Sequence, residues 1–397
     1  MTTAADRPAD PPLGRAAAPT LLAFLLLSVG AFVPNTLGAL AVLMQADLDF
    51  DDAQLGLLLT AFWACTSVLG GLVGSVTDRT GWRVAAVVGC VLTTAALVTT
   101  ASAPGYAVLV VAMVVAAAGF TFSSPTSNLV VVQLVALRRQ SFAFGLKQTA
   151  PIVVTMAGGL SVPVIGERYG WRWALLVVAP AVVGSLAFAA FWGTRTPRAE
   201  RAAASAAPAR LLADGGGRVL LALVVAMGLG SFGMAGASGF AVRSLVESGV
   251  PVAVAGALLA AAGLGALVVR VAGGWWLDRA DGTGDRVVLT LVLLGTAGAG
   301  LMATMVPALM VVGLFLCVCA GWTWPPVLMM RGIRKFVHAP GRASGVLQIG
   351  TSVGAATGPL AVGLLVEGVS FPVAWLVVVT SGVLALVIVR VWCRSEA

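Results

Sequence analysis

Long apolar runs broken by short polar punctuation dominate this chain. A helix needs about 20 apolar residues to cross the hydrocarbon layer of a bilayer. Windows of that kind fit at 20–44, 53–77, 84–102, 106–135, 141–165 and 172–193, and again at 218–243, 252–276, 287–305, 307–330, 342–366 and 371–392. The pattern predicts an all-α membrane protein of 12 transmembrane helices, six and six. Between the sets, 194–217 carries Arg195, Arg198, Arg201, Arg210 and Gly215-Gly216-Gly217, a linker composition. The expected units are therefore a first bundle, 20–193, a cytoplasmic linker, 194–217, and a second bundle, 218–393. Residues 1–19, rich in Pro and Ala, read as a disordered cytoplasmic tail. The run that follows continues through Pro34-Asn35 with no small-residue cleavage site, so it reads as a retained span rather than a removed leader.

The two sets repeat each other. Gly74, Asp78 and Arg79 return as Gly274, Asp278 and Arg279, an offset of 200 positions. Pro125, Gly145, Gln148, Gly158 and Glu167 return at the same offset as Pro325, Gly345, Gln348, Gly358 and Glu367. With one insertion, Ala118-Gly-Phe-Thr-Phe-Ser-Ser-Pro125 also matches Ala320-Gly-Trp-Thr-Trp-Pro-Pro326. A tandem duplication in one orientation predicts two six-helix bundles related by a pseudo-twofold axis along the membrane normal.

Composition agrees with a life in lipid. The chain is 59% hydrophobic and 10% charged, too apolar for a water-soluble core. Its net charge of +8 does not mark a nucleic-acid binder, because the basic residues are spread through short loops rather than gathered on one face. The five cysteines have neither disulfide nor metal-ligand spacing and read as small apolar packing residues. The arginines set the orientation, since basic residues stay on the cytoplasmic side. With the N-terminus inside, nearly all of them fall on one side, and the first opposite loop, Asp47 to Asp52, has four aspartates and no base. Arg168, Arg172 and Arg243 are the exceptions.

These features resemble the major facilitator superfamily. Its loop signature is matched between the second and third spans by Gly74, Asp78, Arg79, Gly81 and Arg83, and in part by Gly274, Asp278 and Arg279, where extra residues follow. The resemblance covers residues 20 to 393 and implies a cytoplasmic gate latch at those eight positions. Gly145-Leu-Lys-Gln-Thr-Ala-Pro151, with Gly158-Gly159 and Pro163, resembles the fifth span of bacterial members grouped with cyanate-type and other small-anion permeases. That narrower likeness suggests a substrate class only.

An ionised side chain at the centre of a span costs about 2.5 to 3.5 kcal/mol, so each one is a functional candidate. Lys147 lies roughly 9 Å inside the start of the fifth span, and Arg270 about 12 Å before the signature aspartate at 278. Two cations at similar depth repel unless an anion, or a ring of carbonyls and hydroxyls, joins them. The alternatives are that Lys147 snorkels to the cytoplasm and that Arg270 ties itself to the carbonyls of a neighbouring helix. All 16 acidic residues lie in tails, loops or span ends, which disfavours proton-coupling carboxylates and cationic cargo. Polar groups that could complete a site are Asn35 beside Pro34, Asn128 in the Ser/Thr cluster around Pro125, and the equivalent pair Gln148 and Gln348. Trp322 and Trp324 are candidates for an apolar wall. His338, alone in a basic loop, reads as solvated.

The reading is a secondary active transporter working by alternating access on a small organic or inorganic anion. It is expected in a bacterial inner or plasma membrane, with both termini cytoplasmic, as a monomer with no cofactor, no metal and no nucleic-acid partner. The alternatives are an exporter of a neutral or amphipathic metabolite or drug, and a membrane sensor that binds without transporting. No nucleophile with its base, metal cluster or phosphate loop points to an enzyme.

Overall fold

The computed structural model describes residues 13–135, 145–191, 216–277, 284–324 and 340–395, with single positions at 139, 143 and 328. Among these the regular structure is helical throughout. The first half contains α1 (Leu13–Leu48), α2 (Asp52–Thr80), α3 (Trp82–Ala101), α4 (Tyr106–Leu134), α5 (Gly145–Tyr169) and α6, which starts at Trp171 and ends at Phe191. The second half contains α7 (Gly216–Glu247), α8 (Val252–Leu277), α9 (Gly284–Ala303), α10 (Pro307–Gly321), α11 (Pro340–Gly368) and α12 (Phe371–Ser395). Eleven of these are long and apolar enough to cross a membrane, and α10 is a shorter apolar helix next to undescribed residues. In lipid the helix is forced, because every backbone N–H and C=O must be satisfied within its own segment.

Three boundaries differ from expectation for local reasons. α1 reaches back into the expected tail to Leu13, where Leu13, Arg15 and Ala16-Ala17-Ala18 are good helix formers. The signature loop is almost absent. α2 runs through Asp78 and Arg79 to Thr80, and α3 begins at Trp82, so Gly81 alone makes the turn. Its φ of 85° is left-handed backbone that favours glycine. The fifth span is interrupted: a turn at Gln148–Thr149 precedes α-helix from Ala150 to Ser161, then a π-helical turn spans Val162–Gly166. Pro151 and Pro163 lack the N–H that a continuous helix would use there. Of the linker, 194–215 lies outside the described residues, as do Asp278, Arg279 and His338; for Gly74, Asp78, Arg79 and Gly274 only the helical backbone is described.

Within the halves α1 packs on α4 and α5, α3 on α4, α7 on α11 and α12, and α9 on α10 and α12. Between them α2 packs on α11, α5 on α8 and α1 on α7. These contacts are tightest toward the end of the bundle that carries Asp52. A Cβ at Gly159 would meet the Gly256 carbonyl at 2.6 Å, and one at Gly256 would meet the Gly159 carbonyl at 2.7 Å. Gly56 leaves no room for a side chain against the Pro359 carbonyl, and Thr60 donates across the same seam to the Ala356 carbonyl at 2.6 Å. Small residues let backbones approach this closely, which is how apolar helices gain packing energy in lipid.

Two of the arginines that break the charge bias have carboxylate partners at this end. Arg172 pairs with Asp47, which also accepts from Trp171 Nε1 at 3.0 Å, and Arg172 donates to the Ala103 carbonyl at 3.1 Å. Arg243 pairs with Asp52 at 3.3 Å and with Glu247 at 2.8 Å.

Candidate functional site

Both intramembrane cations are engaged at the break in α5, Lys147 buried and Arg270 partly buried. Lys147 closes the short helical turn before the break and is 3% exposed. Its Nζ donates to Ser127 Oγ at 2.8 Å and to Asn128 Oδ1, both on α4. Ser127 is prepared for this role: its hydroxyl donates to the Ser124 carbonyl at 2.6 Å, leaving its lone pairs for the ammonium. Lys147 therefore turns toward α4 instead of snorkelling along its own helix.

Arg270, on α8, reaches the next residue of the same break. Its Nη1 donates to the Gln148 carbonyl at 2.7 Å and its Nη2 to the Trp322 carbonyl at 2.5 Å. The second acceptor is explained by sequence. A helix would send the N–H of residue 326 to the Trp322 carbonyl, and residue 326 is proline. The first acceptor sits at the Gln148–Thr149 turn, where Thr149 N–H closes back on Leu146 at 3.0 Å. A planar guanidinium with several fixed donors can serve two carbonyls on two helices at once. Arg270 thus joins a discontinuity of the first half to one of the second, through the tie to neighbouring-helix carbonyls named above.

Of the other candidate residues, Asn128, Gln148 and Gln348 are exposed, and Asn128 alone of these joins Lys147 by its side chain. Asn35 is spent on its own helix, donating to the Ala31 carbonyl at 2.7 Å. Trp322 and Trp324 are 8% and 4% exposed, and both residues line a hollow inside the second half, where the Trp324 ring packs on Gly230. Arg83 ties α3 to the end of α6, donating from Nε to the Ala189 carbonyl at 3.2 Å, with its guanidinium over the Trp82 ring. In sequence Arg243 stands only as an exception to the charge rule, and its partner Asp52 lies 191 residues away. The available signal was the coincidence of an outer arginine with an aspartate-rich outer loop.

The sequence profile of the Major Facilitator Superfamily matches residues 20–331. The chain belongs to this superfamily. Among solved structures, this superfamily member is similar to a D-xylose–proton symporter, at 15% identity and TM-score 0.78, covering 94% of this chain and 97% of that one. It is also similar to a bacterial homologue of the human lysosomal transporter Spinster, captured inward-facing and occupied, at 16% identity and TM-score 0.73, covering 97% and 98%. The nucleoside transporter NupG matches at 16% identity and TM-score 0.70, covering 96% and 100%. Comparison with curated proteins gave no match. At these identities the likeness is one of fold.

Proposed function

We propose that this protein is a secondary transporter that moves a small anion by alternating access between its two halves. The observation that carries the reading is that a cation from each half is engaged at the α5 break: Lys147 stands at it, and Arg270 of α8 bonds to the carbonyl of the next residue, Gln148. Four of their partners are neutral oxygens: Ser127 Oγ and Asn128 Oδ1 for Lys147, and the Gln148 and Trp322 carbonyls for Arg270. An anion is a stronger partner for either cation than a hydroxyl or a carbonyl, because charge-assisted hydrogen bonds are roughly twice as strong as neutral ones. The arginine-rich end is taken as cytoplasmic from the charge bias. The seam around Gly56, Gly159 and Arg243 is then the outer side, and its tight closure supports an inward-facing state. Gly81, Arg83, Asp78 and Arg79 remain the proposed inner latch, together with Gly274, Asp278 and Arg279.

The test is transport by the full chain in liposomes. Labelled small carboxylates and inorganic anions should exchange across the bilayer, and Lys147→Gln or Arg270→Gln should each slow exchange at least tenfold. Unchanged exchange in both variants would end the anion reading and leave the carrier reading standing. A second reading is favoured by the exposed amides of Asn128, Gln148 and Gln348, which suit a neutral polar solute such as the nucleoside or sugar named for the structural relatives. Uncharged competitors that block uptake as well as any anion would select it.

A further inference from the structure

Trp322 faces two ways. Its carbonyl accepts from Arg270, and the residue lines an apolar hollow within the second half, between α7, α9, α10 and α12. The hollow measures about 60 Å³ and is walled by Gly230, Met234, Ala299, Trp322, Trp324 and Trp375 among others. Hydroxyls at its edge are committed to their own helices. Ser238 donates to Met234, Thr296 to Val292 and Ser381 to Val378, each at 2.8 Å. Trp375 sends its N–H away from the hollow to Ser244 at 2.9 Å. The wall that remains is carbon, sulfur and indole faces, which favour an apolar group over water.

The duplicated first half packs differently at the matching place. Gly30 corresponds to Gly230, and a Cβ there would meet Ser123 Cβ at 2.9 Å and Phe120 Cα at 3.2 Å. The backbone of α4 closes directly onto α1 at that point, whereas at Gly230 the nearest atoms are those of the Trp324 indole. An unfilled hollow forfeits the dispersion contacts of its lining.

We infer that this hollow receives the apolar tail of the cargo while Arg270, bonded to the Trp322 carbonyl beside it, holds the charged head. The substrate class is then an organic acid, a carboxylate with a tail of a few carbon atoms, and not a bare inorganic anion. The inference rests on the anion reading above. It adds that the tail is bound inside one half, beside the residue whose carbonyl caps the cation that binds the head.

The test uses the full chain in liposomes with isovalerate, butyrate, formate and nitrate as probes. The wild-type protein should take up isovalerate and butyrate at least tenfold faster than formate and nitrate at equal concentration. Ala299→Leu fills the hollow from α9 and Ala237→Leu fills it from α7; each should lower the isovalerate-to-formate ratio at least tenfold, with a melting temperature no lower than that of the wild type. Equal handling of the four anions by the wild-type protein overturns the inference, as does an unchanged ratio in both filled variants. If Arg270→Gln abolishes uptake of every anion while the filled variants keep the wild-type ratio, the tail site fails and the anion reading survives. Unchanged uptake of all four by Arg270→Gln overturns the inference; if Lys147→Gln is unchanged as well, or the wild-type protein moves none of the four, the anion reading falls with it.

Discussion

Arg243, on α7 of the second half, donates from Nε to Asp52 Oδ1 at 3.3 Å, and Asp52 is the first residue of α2 in the first half. The carboxylate is 5% exposed and also accepts from Gln45 Nε2 at 2.8 Å, so it is held from both halves at once. An ion pair across the moving seam contributes to whichever state keeps it intact.

Loss of that pair is expected to loosen the closed end. Arg243 is partly exposed, so the pair is assigned about 1 kcal/mol, roughly a fivefold shift in population. In a cysteine-free background with Thr60→Cys as reporter, Arg243→Gln and Asp52→Asn should raise maleimide labelling several-fold. The charge-swapped double variant, Arg243→Asp with Asp52→Arg, should restore part of the protection. Labelling that stays at the wild-type rate in both single variants would remove the pair from the mechanism.

Arg270→Lys keeps the charge and is expected to behave like Arg270→Gln. A lysine ammonium is a compact point charge and does not reproduce a planar fork reaching Gln148 and Trp322 on two helices. Initial rates in liposomes should fall at least tenfold. Full activity with lysine would mean that charge alone is used at this position.

Gly159→Ala places a methyl group 2.6 Å from the Gly256 carbonyl. Overpacking at a helix contact of this closeness is expected to cost about 1 to 3 kcal/mol. The loss should fall on the closed-end state, so transport slows and the Thr60→Cys reporter labels faster. A variant with normal transport and normal labelling would show that the seam opens more widely than this contact allows.

Asn128→Ala removes one of the oxygens that hold Lys147. A buried donor deprived of its acceptor costs about 1 to 3 kcal/mol, so the melting temperature in detergent should drop. Lys147→Met combined with Asn128→Leu should recover part of the loss, because removing both partners leaves no orphaned charge. If the double variant melts lower than Asn128→Ala, the ammonium has a stabilising role beyond these two oxygens.

Several features were legible in the chain because their causes are local. Lipid demands runs of a set length, so ten of the twelve apolar windows matched the helices to within four residues at each end, while α1 begins at Leu13 and α10 ends at Gly321. The turn after α2 rests on a single glycine, and the turn within α5 stands beside a proline. The first helix extends back to Leu13, where Ala16-Ala17-Ala18 favour helix.

The partners of Lys147 and Arg270 were not legible in this way. Both residues stood out as ions in lipid, but Arg270 meets Gln148 and Trp322 across long stretches of sequence, through the pairing of α8 with α5 and α10. The indoles of Trp322 and Trp324 could have faced either the space between the halves or the interior of one half. The close approach of Gly230 to the Trp324 ring goes with the second choice. The exposed face of an apolar helix and its packed face carry similar residues, since lipid tails are as apolar as leucine, so hydropathy does not tell them apart.

By itself the sequence determined that this chain lies in a membrane as a duplicated set of helices, because burying backbone in lipid and repeating a motif at one offset both leave marks in residue order. Only the tertiary structure decided which cation meets which oxygen, which end of the seam is closed and where a hollow remains, because those depend on helix rotation and close approach between residues far apart in the chain.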